Sequence, residues 1–223
     1  MEDAIVEYQI SQPYGRVESN FSKLLRMFAV SLLVSAIGSA FGTAFVPPAL
    51  ILPLVIVELL MLVGAFMVRR RGVRVGYLFT FAFVFISGIT LGPTLQYYAM
   101  RGEAALVNTA FFLAAGIFVG LAAYAYFSKR DFSFLGGMLF AGLIGLILLH
   151  LLNLFVPLGS TLQLLMASAG VLIFSGYILY DISNYKYGLA DEDIPLAVIS
   201  LYLDFINLFL SLLRLLGLSS SDD

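Results

Sequence analysis

Two aspartates interrupt apolar stretches near the C-terminal end of the chain. Asp181 lies in the run Ile178–Ile182, and Asp204 lies in the run Leu201–Leu208. A carboxylate at the centre of a membrane-spanning helix costs roughly 2.5–3.5 kcal/mol or more, so such a side chain usually faces a partner or a water-filled path. Two carboxylates on consecutive apolar segments therefore predict a shared proton or a cation site.

The chemistry of this pair depends on whether the two side chains touch. Two carboxylates in one buried site resist double ionisation and hold one proton between them. Loss of that proton creates a repulsion that a cation or a conformational change relieves, and calcium prefers carboxylate and carbonyl oxygens. Asp181 and Asp204 are thus predicted to form a pH sensor and a metal site. The alternative is structural, with each aspartate binding a neighbouring Tyr or Asn as a lock.

The composition is typical of an integral membrane protein. Of the 223 residues, 61% are hydrophobic and only 12% are charged, whereas a soluble domain has about a quarter charged residues. The absence of cysteine excludes thiolate metal sites and cysteine nucleophiles, and the single histidine, His150, excludes a multi-histidine metal site. The net charge of −2 gives no indication of a nucleic-acid partner.

The chain is predicted to form one domain of seven transmembrane helices. A span needs about 20 mainly apolar residues, and seven stretches qualify or nearly do: 24–45, 49–68, 75–99, 106–127, 133–155, 161–185 and 195–215. The domain runs over 24–215, between a cytoplasmic N-terminal segment, 1–23, and a polar tail, 216–223. The link Pro47–Pro48 is so short that the first two helices are expected to be antiparallel neighbours.

The distribution of Lys and Arg predicts the orientation, because basic residues accumulate in cytoplasmic loops. With the N-terminus in the cytoplasm, ten of the twelve basic residues fall on that side: Arg16, Lys23, Arg26, Arg69, Arg70, Arg71, Arg74, Lys129, Arg130 and Lys186. We therefore expect a multi-pass protein with a cytoplasmic N-terminus.

A narrow polar stripe predicts that the seventh helix is central. Ser200, Asp204, Asn207 and Ser211 are spaced at four, three and four residues, so they share one face of an otherwise apolar helix. Such a helix turns its stripe toward other helices. Asp181 and Asp204 lie about 10 and 14 Å from the loop that joins their helices, at 1.5 Å per residue, so contact between them is plausible after a modest tilt.

Other polar and small residues in the spans have weaker interpretations. Glu58 is the third acidic residue within a predicted span, and Arg69, at the end of the second helix, either pairs with Asp181 or only marks topology. His150 is expected to be a packing residue with satisfied polar atoms, although a histidine also suits pH sensing. Three GxxxG spacings, Gly38/Gly42, Gly88/Gly92 and Gly116/Gly120, predict close helix packing, because small residues one turn apart let backbones approach.

Four segments resemble the Bax inhibitor (transmembrane Bax-inhibitor-motif) family, most closely its bacterial YetJ-type calcium-leak members. They are Glu58 with the triplet Arg69–Arg71, Phe85–Leu95, Tyr177–Asp181, and Leu201–Phe209 followed by the acidic tail. The resemblance extends over essentially the whole chain. It implies a seven-helix fold with helix seven at the centre and a pH-sensitive calcium leak. It further implies that Asp181 and Asp204 sense pH, that Arg69 latches onto this sensor, and that Glu58 lines the pathway.

The expected function is a passive, proton-regulated calcium leak in a bacterial plasma membrane. We expect no enzymatic activity and no cofactor besides calcium as the transported ion; the expected partners are calcium, protons and the lipid bilayer, and the expected state is a monomer. The alternatives are a proton-coupled cation exchanger, a non-conducting scaffold and an intramembrane aspartyl protease. The protease is disfavoured because Leu201-Tyr-Leu precedes Asp204, where presenilin-like enzymes have a Gly-x-Gly pattern.

Overall fold

The computed structural model describes residues 14–70 and 74–219, with the side chains of 14–19, 66 and 68–70 outside the description. These residues form seven long helices: α1 (Tyr14–Phe45), α2 (Ile51–Arg70), α3 (Tyr77–Met100), α4 (Ala104–Phe127), α5 (Leu135–Phe155), α6 (Ser160–Gly188) and α7 (Ile194–Ser219). Short 3₁₀ turns, Pro48–Leu50 and Asp191–Asp193, precede α2 and α7. All seven helices contain a segment that is long and apolar enough to cross a membrane, which confirms the predicted fold class.

Helix α7 is the centre of the bundle. It packs against α1, α3, α4 and α6. Of its candidate span, 78% of the residues are buried, against at most 39% for any other span in the described chain. The predicted central position of helix seven is therefore confirmed. The polar stripe contributes to this position, because it requires protein on the side that lipid would otherwise cover.

Helices α1 and α3 cross at four glycines. A Cβ added to Gly38 would lie 2.3 Å from the Phe85 carbonyl oxygen, and one added to Gly88 would lie 2.2 Å from the Ser35 carbonyl oxygen. Gly42 and Gly92 are also close to the opposite helix, because Cβ atoms added to them would lie 2.9 and 3.1 Å from their nearest neighbours. The predicted packing role is confirmed for these two glycine pairs. The third pair, on α4, differs, because no atom lies within 4 Å of a Cβ added to either glycine.

Helix α2 lies at the periphery, with only 6% of its candidate span buried. It packs mainly against α3 and makes few contacts with α1, although the Pro47–Pro48 link predicted that α1 and α2 are neighbours. The difference has a physical reason. The glycine face of α1 is occupied by α3, and the extended Pro47 followed by a 3₁₀ turn carries the chain away from α1.

Ion pairs join the elements at the end of the bundle where α1, α3, α5 and α7 begin, here called the basic end. The Lys23 Nζ of α1 lies 2.6 Å from Asp191 Oδ1, and the Arg74 Nη2, before α3, lies 2.6 Å from Glu192 Oε2. Both acidic residues belong to the turn before α7. These pairs are solvent-exposed and individually weak, but they hold the start of the central helix against α1 and α3.

A buried lysine connects α6 to α4 at the same end. The Lys186 Nζ donates hydrogen bonds of 2.6 Å to the carbonyl oxygens of Ala125 and Ser128. The last carbonyls of a helix have no partner within the helix, and a cation there also interacts favourably with the helix dipole. Lys186 therefore caps α4 and fixes the end of α6 beside it.

Candidate functional site

Asp204 lies in the middle of α7, on the predicted polar stripe. The carboxylate is buried, with 6% of the residue exposed. Its Oδ2 atom has no hydrogen-bond partner among the described residues. The neighbouring stripe residues satisfy their own side chains locally, since Asn207 donates to the Leu203 carbonyl at 2.7 Å and Ser211 donates to the Asn207 carbonyl at 2.7 Å. Asp204 thus keeps an acceptor free for a proton or a cation.

Asp181 lies on the adjacent helix α6. It is buried to a similar degree, with 7% of the residue exposed, and accepts a hydrogen bond from the Tyr185 hydroxyl at 3.3 Å. The two carboxylates lie within electrostatic range of each other. Both also lie within electrostatic range of the Tyr177 and Tyr185 hydroxyls. The structure therefore places the two aspartates singled out in the sequence within electrostatic range of each other on neighbouring helices.

Two cavities approach this pair from opposite ends of the bundle. The small cavity, about 210 Å³ in volume, opens toward the basic end and is lined by Tyr185 and Ser200 among others. The large cavity, about 750 Å³, lies toward the other end and reaches Asn207 and Ser211. Asp204 is four residues after Ser200 and three before Asn207, so it lies one helical turn from the wall of each cavity.

Glu58 lies apart from the aspartate pair. The half-buried Glu58 carboxylate on α2 accepts a hydrogen bond of 2.8 Å from Thr90 of α3. Nearby, the Tyr202 hydroxyl of α7 is hydrogen-bonded to the Ser35 hydroxyl of α1 at 2.8 Å. Tyr202 also lies within electrostatic range of the Glu58 carboxylate. Tyr202 and Asp204 are two residues apart, so they point to nearly opposite sides of α7. Glu58 is therefore not brought together with the aspartates.

The two remaining residues from the sequence analysis, Arg69 and His150, lie at opposite ends of the bundle. Arg69 belongs to the last turn of α2 at the basic end, and its side chain lies outside the described residues. His150, expected to be a packing residue with satisfied polar atoms, makes two polar contacts near the far end of α5. Its Nδ1 is 2.8 Å from the Leu146 carbonyl oxygen, and its Nε2 is paired with the Arg214 guanidinium.

Comparisons with known proteins cover nearly the whole chain. A family model described as "Inhibitor of apoptosis-promoting Bax1" matches residues 17–221. An "Uncharacterized membrane protein" of Vibrio cholerae is 38% identical over 212 residues, which are 94% of this chain and 92% of that protein. The chain belongs to the Bax inhibitor-1 family.

Eukaryotic members of the Bax inhibitor-1 family match over a shorter region. "Bax inhibitor 1" of Schizosaccharomyces pombe is 39% identical over 147 residues, 66% of this chain and 54% of that protein. "Protein lifeguard 4" of Mus musculus is 41% identical over 136 residues, 61% of this chain and 55% of that protein. The matched region thus spans about half the length of these two relatives.

Several polar residues of this Bax inhibitor-1 family member were missed by the sequence analysis. Tyr185 contacts Asp181, and a signal for it existed, because residues four apart share a helix face. The Thr90 bond to Glu58 and the Ser35 bond to Tyr202 join separate helices. No local spacing indicates such contacts, since they depend on how deeply each helix sits relative to its neighbour.

Proposed function

We propose that the protein is a passive, proton-regulated calcium leak of a bacterial plasma membrane. The observation that carries the proposal is the unpartnered, buried Oδ2 of Asp204, which lies beside Asp181 between two cavities. An intramembrane carboxylate with free acceptor capacity is costly to maintain, and such residues usually serve a proton or ion path. The resemblance of the sequence motifs to calcium-leak members of the Bax inhibitor family also supports this proposal.

The ligand set suits a cation in transit rather than a stored one. Within residues 14–70 and 74–219, no group of three or more His, Cys, Asp or Glu side chains is positioned to hold a metal. A calcium ion between Asp181 and Asp204 therefore has two carboxylates and otherwise neutral oxygens, whereas tight calcium sites supply six to eight oxygens. Conduction requires binding that is strong enough for entry and weak enough for exit.

The proton and the cation compete for the same oxygens in this proposal. With one proton shared, the pair carries one negative charge; after its loss the pair carries two and attracts a divalent ion more strongly. The Tyr185 hydroxyl, which contacts Asp181 and lines the small cavity, connects the pair to the basic end. In this proposal, the pH at the basic end sets how often the site is open to calcium.

The family resemblance supplies two further proposed roles. Arg69 is the latch, and its position supports this, since it lies two turns after Leu62, which lines the small cavity. Glu58 is the pathway-lining acid. Its bond to Thr90 places it on the other side of α7, so in our proposal it is a separate polar position along the route and not a ligand in the aspartate site.

Calcium flux into proteoliposomes at several pH values tests the proposal. We expect wild-type flux to follow the calcium gradient and to vary with pH, and we expect Asp181→Asn and Asp204→Asn to flatten that pH profile. Asp131→Asn is the matched control, because Asp131 is an exposed carboxylate in the loop before α5.

Two results would contradict this proposal. If both aspartate variants keep the wild-type pH profile, the pair is not the sensor. If an imposed proton gradient drives calcium against its own gradient, the protein is a proton-coupled exchanger and not a leak.

A further inference from the structure

The large cavity contains a guanidinium that forms no ion pair with any carboxylate among residues 14–70 and 74–219. Arg214 of α7 donates to the Nε2 of His150, and no carboxylate in the described part of the chain forms an ion pair with it. His150 is fixed on its other side by the Leu146 carbonyl. A guanidinium has five N–H donors, so Arg214 retains donors for a ligand in the cavity.

The other arginine of the cavity is already neutralised. Arg101 donates to Glu103 at 3.0 Å and to the Tyr97 hydroxyl at 2.9 Å. These two partners raise the pKa of Arg101 above its ordinary value. Glu103 and Arg101 cancel each other, which leaves the positive charge of Arg214 as the uncompensated charge among the described residues lining this cavity.

The wall contributed by α5 is apolar and open. Ile147, Leu151 and Leu154 line the cavity and are 46%, 49% and 76% exposed. They are spaced at four and three residues, so they form one stripe along the helix. Among the other helices, α5 packs mainly against α6, so this stripe is not covered by a neighbouring helix. Water covers such a stripe poorly, whereas an acyl chain covers it well.

We propose that the large cavity binds an anionic phospholipid of the surrounding leaflet. The phosphate accepts hydrogen bonds from Arg214, and part of one acyl chain lies along the α5 stripe. The size supports a lipid over a small ion, because about 750 Å³ far exceeds the space one phosphate needs. The charge supports an anion over calcium as the ligand held beside Arg214, since a guanidinium repels a cation at short range. Guanidinium–phosphate pairing is a strong charge-assisted interaction.

Native mass spectrometry of the full chain in an uncharged detergent tests this site. The probes are dioleoyl phosphatidylglycerol, dioleoyl phosphatidylcholine and inorganic phosphate. We expect one tightly bound phosphatidylglycerol per wild-type chain and at least about tenfold weaker binding of phosphatidylcholine, which has no net charge. We expect inorganic phosphate alone to bind weakly, because it cannot cover the apolar wall.

Two variants and a control locate the lipid. Arg214→Gln removes the charge, and Leu151→Trp fills the apolar half without touching Arg214. Each is expected to weaken phosphatidylglycerol binding about tenfold or more. The control is Arg26→Gln, which removes an exposed charge from α1 far from the cavity. Leu151→Trp also keeps the test decisive if Arg214→Gln fails to fold.

The proposal is overturned by any of three results. Unchanged phosphatidylglycerol binding in both Arg214→Gln and Leu151→Trp would place the lipid elsewhere. Equal binding of the two phospholipids would remove the role of charge. Inorganic phosphate that displaces phosphatidylglycerol at equal concentration would make the cavity an anion site without an acyl-chain subsite. None of these results depends on whether the protein conducts calcium.

Discussion

Alanine at Gly88 would force α1 and α3 apart. The added Cβ would lie 2.2 Å from the Ser35 carbonyl oxygen, while ordinary contacts begin at 3.4 Å, so the helices must separate by about 1.2 Å at this point. The obstructing atoms are backbone, which cannot rotate away as a side-chain tip can. Overpacking of this kind costs typically 1–3 kcal/mol. Alanine is intrinsically better than glycine in a helix by about 0.8–1.0 kcal/mol, which offsets part of the cost.

The net expectation is that Gly88→Ala lowers the free energy of unfolding by up to about 2 kcal/mol, and by about 1–3 kcal/mol relative to the same substitution at an unobstructed glycine. The assay is denaturant-induced unfolding of the purified protein in mixed micelles. Gly116→Ala is the matched control, because Gly116 has the same GxxxG context on α4 but no atom within 4 Å of an added Cβ. The control is expected to be neutral or slightly stabilising.

Equal effects of the two substitutions would refute the close crossing of α1 and α3. If Gly88→Ala stabilised the protein, the close crossing would be refuted more strongly, because the only remaining effect would be the higher helix propensity of alanine. Gly38→Ala repeats the test from the other helix, where the added Cβ would lie 2.3 Å from the Phe85 carbonyl oxygen.

Three further predictions concern substitutions at single positions or pairs. Lys186→Met should destabilise the protein by about 2–4 kcal/mol, because two carbonyl oxygens at the end of α4 lose a charged donor. Lys129→Met, at an exposed loop position, is the control and should leave the stability unchanged. Thermal unfolding compares the two variants. Ser35→Ala and Tyr202→Phe should each lower the free energy of unfolding by about 1–3 kcal/mol. In a double-mutant cycle, the double variant should lose less than the sum of the two single losses. Full additivity would exclude a hydrogen bond between the two hydroxyls. Arg69→Ala should change the magnitude of calcium flux without unfolding the protein, and wild-type flux at every pH would remove the latch role.

The number of spans and the central position of α7 were predictable from the sequence. Span length follows from bilayer thickness, and each stretch of about 20 apolar residues forms a helix because backbone polar groups in lipid must be satisfied internally. The stripe of Asp204 and its polar neighbours on an apolar helix indicated that protein surrounds it. The approach of Asp181 to Asp204 was also foreseeable, since a short loop joins their helices.

Contacts between helices that are distant in the chain were not predictable in this way. The Ser35–Tyr202 hydrogen bond joins residues 167 positions apart, so its existence depends on the relative depth and rotation of α1 and α7. Glu58 likewise finds Thr90 because α2 packs on α3 and not on α1. The glycine pairs illustrate the same point. The GxxxG spacing indicates that close packing is sterically allowed, but it does not predict whether a partner helix is present.

Infrared difference spectroscopy tests most directly whether Asp181 and Asp204 share a proton that calcium displaces. Calcium is added to the purified protein near neutral pH, and the carbonyl band of a protonated carboxylic acid is followed. We predict that this band decreases on calcium addition in the wild type and that the decrease is absent in Asp204→Asn and in Asp181→Asn. A band that does not respond to calcium, or a response that persists in both variants, would contradict a shared proton and metal site at this pair.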